Sequence, residues 1–295
     1  MNQSKARGYS LLLVPIIGWG LAPSIVDIGL DYIDPLPFLT YRFLAATLLL
    51  TPFILLKKQE EVKLLLKNRW TWIIGLSQAW AILFQYLSQL FILPSLSATI
   101  SYSYMILVPL VSVIILQESL DRRHIPVVVI ATLGLAMITT EGNLDIFNTS
   151  GLGIFLAFLA TWGFAFYITS TSRLTTKESV EVDSFALFYI IMVIVSITGL
   201  LLSLIFQADM RVASSTVWIS ILLLTLISTV FAYIAYIEAL KFISANTASV
   251  VLLLQIVLPF LIDFFVFGRT FSWWVIVGSL LIIAASALAI VVHHH

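Results

Sequence analysis

Ten apolar runs, parted by short polar or turn-rich breaks, fill nearly the whole of this 295-residue chain. They fall at about 11–30, 36–56, 70–93, 97–117, 124–140, 151–172, 184–206, 215–240, 244–267 and 272–292. A bilayer core takes roughly 20 apolar residues as a helix, because in lipid a helix satisfies its own backbone polar groups. The pattern therefore predicts an all-α membrane protein with ten transmembrane helices. Several connections are nearly absent: Pro94 and Ser95 part the third and fourth runs, and Ser244 to Asn246 part the eighth and ninth. Links this short make neighbouring helices antiparallel.

The chain also carries a weak echo of itself. Tyr86, Leu90, Ala98, Thr99, Ile106 and Pro109 recur 150 positions later as Tyr236, Leu240, Ala248, Ser249, Ile256 and Pro259. Shared letters prove little in apolar sequence, but these copies lie five runs apart. An odd separation sets two spanning copies in opposite directions, as in an inverted-topology repeat. The predicted halves are 1–142 and 143–292, five helices each, with His293, His294 and His295 a purification-tag remnant.

Charge placement gives an orientation, since Lys and Arg accumulate in cytoplasmic loops. With the N-terminus inside, Lys5, Arg7, Lys57, Lys58, Lys63, Lys67, Arg69, Arg122, Arg123, Arg173, Lys177 and Lys241 all fall on the inner side. Only Arg211 and Arg269 fall outside, where Asp31, Asp34, Glu141, Asp145 and Asp209 gather, and Arg42 lies within the second run. Both termini are thus expected in the cytoplasm, with the chain multi-pass in the plasma or inner cell membrane.

Composition agrees: 61% hydrophobic and 10% charged residues, with a mean hydropathy of +1.09, leave no room for a separate soluble domain. The absence of cysteine removes thiol catalysis, Cys-ligated zinc and disulfides. Lys5 and Arg7 before an apolar run resemble a signal-peptide start. The run is long enough to span and lacks a small-x-small cleavage site, so it reads as a retained helix.

Short motifs add a resemblance. Trp19-Gly20 and Trp162-Gly163, Pro37 followed by Tyr41-Arg42-Phe43, then Ala98-Thr99, Pro109, Glu118 and Gly134 recur in order, partly doubled as Ala248-Ser249, Pro259 and Gly278. In this the chain resembles EamA-type members of the drug/metabolite transporter superfamily. The resemblance implies ten helices in a five-plus-five inverted repeat and transport of metabolites, with export the expected direction. The position matching Glu118 in the second half is Gly268, so a salt bridge at that corner is in doubt.

A charge in hydrocarbon is costly, which makes Asp27, Arg42, Glu238 and Asp263 candidates for gating or coupling. Asp27, Arg42 and Asp263 lie in the outer third and could form an extracellular gate. Alternatively, Arg42 snorkels to the interface and pairs with Asp31 or Asp34. Glu238 stands three residues before Lys241, the spacing of a local ion pair. No carboxylate falls near the middle of the first, third, fourth or sixth runs, which argues against a proton-coupled cation exchanger. Arg42 near one end is the core's only basic residue, which argues against anionic substrates.

Neutral polar and aromatic residues are plentiful instead. Gln78, Gln85 and Gln89 share one helical face, and with Tyr86, Ser88, Tyr102, Tyr104 and Gln255 they offer donors and acceptors to a zwitterionic or amide-like solute. Trp19, Trp80 and Trp162 lie well inside their runs, so they are candidate cavity walls or packing residues, and Tyr167 joins the candidate binding set. Trp70, Trp72, Trp218, Trp273 and Trp274, near run ends, read as interfacial belt residues. Pro15 and Pro23 bracket Trp19-Gly20 and are expected to bend the first helix and free backbone groups there.

The expected function is secondary transport of a small organic metabolite, such as an amino acid or aromatic amphiphile, by alternating access. The expected partners are that small-molecule solute and the bilayer, with no nucleic acid, no cofactor and no metal, and the monomer is the expected functional unit. Organic or quaternary cations are the alternative cargo, and a receptor or scaffold the alternative class. No phosphate-binding G-x-x-x-x-G-K-[ST] motif occurs, so a gradient would supply the energy. An enzyme is not expected, since the only histidine before the terminal three, His124, lies in a loop.

Overall fold

A computed structural model describes residues 3–117, 125–143, 151–178, 181–265, 268 and 272–292. Glu118, Arg122, Arg123, His124, Asp145, Arg269 and His293 to His295 lie outside these residues, as does the side chain of Asp263. Among the described residues there are helices and no strands. In chain order they are α1 (Gln3–Leu30), α2 (Pro35–Lys57), α3 (Gln59–Leu66), α4 (Arg69–Gln89), α5 (Pro94–Ser101), α6 (Tyr104–Ile115) and α7 (Ile125–Thr140). The second half follows with α8 (Gly151–Thr176), α9 (Ser184–Ile205), α10 (Ser215–Leu223), a π-helical segment (Leu224–Phe231), α11 (Ala232–Ala239), α12 (Ala245–Val251), α13 (Leu254–Phe265) and α14 (Trp273–Val292).

Seven stretches, α1, α2, α5–α6, α8, α9, α10–α11 and α12–α13, are long and apolar enough to cross a membrane. The α7 helix and Trp273–Ala285 of α14 are shorter apolar helices. The 21-residue α4 stands apart because glutamines and serines interrupt its apolar sequence. Large apolar side chains cover the outside, among them Leu48, Leu56, Ile114, Leu204 and Phe265, a surface suited to lipid rather than water.

Two predicted helices prove to be broken. The run at 97–117 turns at Tyr102 and Ser103, between α5 and α6, and the run at 244–267 turns at Leu252 and Leu253, between α12 and α13. The breaks stand 150 positions apart, the spacing of the sequence echo. Thr161 of α8 donates to the Ile100 carbonyl at 2.9 Å, helping to satisfy a backbone group beside the first turn. The α3 helix, which the apolar pattern did not predict, is a short charged segment anchored by the fully buried Leu65.

Contacts sort the helix ends into two sets. Arg7 lies over the Phe242 ring at 5.2 Å, Lys58 pairs with Asp183 at 2.7 Å, and Arg173 lies over the Trp70 ring at 5.1 Å. Arg173 and Lys177 also donate to the Ile115 and Leu116 carbonyls. The basic segments therefore share one end of the bundle. At the other end Tyr41 bonds the Met210 carbonyl at 2.7 Å, and Gly153 packs against Phe91 and Ile92. So α1 leaves the basic end, whereas α8 begins at the opposite end and finishes at the basic one.

The α7 and α14 helices cross through a reciprocal contact. A Cβ on Gly134 would stand 2.7 Å from the Gly278 carbonyl oxygen, and a Cβ on Gly278 would stand 2.6 Å from that of Gly134. Each glycine also faces the residue four beyond the other, Ile282 and Ile138. Without an apolar driving force between helices in lipid, such close backbone approach supplies the packing.

Candidate functional site

Helices from both halves converge on one narrow cavity, with about 30 Å³ of free space for water-sized groups. It runs along α1 from Trp19 to Val26 and along α4 from Gln78 to Gln89, toward the end away from the basic residues. Proline chemistry shapes the α1 wall as the sequence predicts. Pro23 has no N–H to bond the Trp19 carbonyl, and that oxygen instead accepts the Tyr102 hydroxyl at 3.3 Å. The α4 wall is set close to α8 because a Cβ on Gly163 would lie 2.8 Å from the backbone of Ala81.

One side of the cavity is aromatic. Trp19 donates its indole N–H to the Ser228 carbonyl at 3.0 Å, with the rings of Tyr233 and Tyr236 at 5.2 and 5.3 Å. Tyr167 stacks on Tyr236 at 5.8 Å, and Phe164 packs on Tyr102 and Tyr104 at 5.9 Å each. The other side is amide-rich. Gln78 donates to the Tyr233 hydroxyl, and Gln255 donates to that of Tyr104 at 3.2 Å. Gln78 Oε1, Gln85 Nε2, Gln89 Oε1, Gln255 Oε1 and the Tyr167 hydroxyl are buried with no protein partner. Buried polar atoms normally find one, so a set of exceptions around a cavity marks places where a solute or water completes the bonding.

Arg42 also reaches this wall, with 2% of its surface exposed. Its Nε donates to Thr229 Oγ1 at 3.0 Å, its Nη1 donates to the Tyr86 hydroxyl at 2.5 Å, and its guanidinium lies 5.0 Å from the Phe43 ring centre. Thr229 sits in the π segment, where Thr225 donates to the Arg42 carbonyl and Ser228 to that of Gly18. The widened π turn thus presents three hydroxyls to α1 and α2, a use such segments often have at functional sites.

The structure brings Trp19, Gln78, Gln85, Tyr86, Tyr102, Tyr167 and Gln255 of the expected binding set together. It sets the other two apart. Trp80 is 47% exposed and bonds the Leu159 carbonyl, and Trp162 is 37% exposed beside Phe166. Each is rotated off the cavity by its neighbour: Gly163 takes the inward face beside Trp162, and Gln78 and Ile82 flank Trp80 on the inward face of α4. Trp162→Ala is therefore expected to leave solute affinity unchanged. Trp19→Ala should weaken it about tenfold, the loss of roughly 1.4 kcal/mol of aromatic contact, read by equilibrium binding.

Arg42 corrects two further expectations. It neither snorkels to Asp31 or Asp34, both exposed, nor forms any of the ion pairs among the described residues. Asp27 is exposed and does not line the cavity. The backbone of Arg42 lies toward one end of the core, which in the sequence reads as a ground against anionic cargo, but its long side chain delivers the charge to the cavity. Glu238 pairs with Lys241 at 2.8 Å and accepts from Ser184, tying α11 to the start of α9.

Outside the spanning helices, partial burial pushes the Asp183 carboxyl up, but bonds from Lys58 and the Ala186 N–H outweigh it and hold it low. The same partnership raises the Lys58 ammonium. At the opposite end, Arg211 holds Asp209 down at about 2. Tyr233, Phe164 and Thr229 line or brace the site without having been singled out from sequence. Thr225, Ser228 and Thr229 at i, i+3 and i+4 in an apolar run were the available signal.

The EamA-like transporter family matches the chain twice, at residues 6–140 and 151–291. No curated protein matches it. One solved structure, a crystal structure described only as that of a protein, is 14% identical over 98% of each chain with a TM-score of 0.79, which shows a shared fold. With its apolar helices and two repeats, this multi-pass membrane protein belongs to the EamA-like transporter family, within the drug/metabolite transporter superfamily.

Proposed function

We propose that this chain is a secondary transporter, working in the export direction on small organic metabolites such as amino acids or aromatic amphiphiles. The observation that carries the reading is a central cavity, built from both repeats, in which aromatic rings face unpartnered amide and hydroxyl groups. Ten spans with the basic end in the cytoplasm account for the charge placement, and the cell membrane, plasma or inner, is the proposed location. A carrier rather than an enzyme, working as a monomer without a cofactor, is the simplest form of this reading.

The place where the structure is closed supports alternating access as the mode of transport. The cavity extends toward the end poor in Lys and Arg, whereas the basic end is tied by Lys58 to Asp183 and by Arg173 and Lys177 to the α6 terminus. These bonds join the first repeat to the second, so opening the basic end requires the halves to rock apart. Organic cations suit the aromatic wall but not the guanidinium beside it. Purified protein in liposomes is expected to show saturable counterflow with amino acids or aromatic amphiphiles. Flux no greater than in protein-free liposomes, across a panel of amino acids, aromatic acids and amines, would overturn the reading.

A further inference from the structure

We infer that Arg42, steadied by Tyr86 and Thr229, is the anchor for a carboxylate on the transported solute, which makes the cargo a monocarboxylate with an apolar or aromatic remainder. This rests on the carrier reading and deepens it. A guanidinium keeps its charge in a protein, so burial cannot be relieved by losing a proton. The bonds it makes here use two of its five N–H donors, and both acceptors are neutral hydroxyls. Burying such a charge without an anion is strongly unfavourable, and residues that do so generally face a cavity that supplies one.

The cavity itself has no anion to offer: its lining contains no Asp or Glu. One positive charge balances one negative charge, so a dianion such as a phosphate monoester would leave excess charge in a low-dielectric site. A carboxylate also matches the planar fork of the guanidinium, and the Tyr86 hydroxyl already orients that fork. On the same lining, the rings of Trp19, Tyr167 and Phe164 suit an apolar body, and the free Oε1 atoms of Gln78, Gln89 and Gln255 suit an N–H donor on it. An amino acid carries all three features, and its carboxylate is the feature the charge demands.

The test is equilibrium binding to the purified protein in lipid nanodiscs. Aromatic and aliphatic amino acids are each paired with their own amide and decarboxylated amine, so that only the carboxylate differs. At least one acid is expected to bind about a hundredfold or more tightly than its amide and amine. In Arg42→Met that ratio should collapse toward one, while Arg42→Lys keeps part of it. Tyr86→Phe, which keeps the ring and removes the bond to the guanidinium, should reduce the ratio even if Arg42→Met fails to fold. Equal binding of acid and amide, a ratio that survives Arg42→Met, or no binding by any acid would overturn the proposal. Counterflow reports separately. Acid-selective binding without flux would overturn the carrier reading alone, and saturable flux of amines but not acids would overturn the carboxylate anchor alone.

Discussion

Gly134→Leu is expected to destabilise the fold by forcing a helix crossing open. The obstacle is the Gly278 carbonyl, 2.7 Å from the position of the new Cβ, and backbone cannot rotate away as a side chain can. The crossing of α7 and α14 must open, and overpacking of this kind usually costs about 1–3 kcal/mol. Because the contact is reciprocal, Gly278→Leu should do the same, and the double variant should lose less than the sum, since the first already separates the helices. Gly151→Leu is the control, with nothing within 4 Å of its Cβ. Thermal unfolding in detergent reads all four. Unchanged transitions for Gly134→Leu and Gly278→Leu would show that this crossing does not hold the repeats together.

The second large effect concerns flux. Lys58 of the α2 end and Asp183 at the start of α9 meet at 2.7 Å across the two repeats. A partly exposed pair of this kind is weak enough to break in every cycle. A covalent link would not break. The chain has no cysteine, so Lys58→Cys combined with Asp183→Cys can be joined by a short bis-maleimide without other reactive thiols. Linked protein should lose flux almost entirely, while the unlinked double variant and each single variant keep it. Undiminished flux after complete linking would mean that these ends do not separate during transport.

The same pair sets a pH expectation. A lowered Asp183 contributes stability above its ordinary value of 3.8, lost only as pH falls through its lower folded value. A raised Lys58 contributes below its ordinary value of 10.5, lost only as pH rises through its higher folded value. Between those limits the tie stays ionised, so Lys58→Gln should leave the pH profile of counterflow unchanged between about pH 5 and 8.

Sequence legibility followed the strength of each physical constraint. Apolar runs were plain because lipid demands length and hydropathy, and the Pro23 effect on Trp19 was plain because a missing N–H has one consequence. The break at Tyr102 was hidden, since no Gly or Pro lies between Pro94 and Pro109 and the turn depends on neighbours such as Thr161. Trp162 and Gly163 show the limit most clearly. One residue is about 100° of helix rotation, enough to move a ring from cavity to surface, and hydropathy in a nearly uniform apolar run does not fix rotation. Arg42 was found by its charge and misplaced by its backbone depth, because a long side chain decides where the charge lands.

One measurement bears most directly on a cavity that opens to each side in turn. Ala22→Cys places a single thiol on the cavity wall of an otherwise cysteine-free chain. It is exposed to a membrane-impermeant maleimide in sealed right-side-out vesicles and, separately, in inverted ones, with transported solute present. Alternating access predicts labelling from both sides. Labelling from one side only would contradict it.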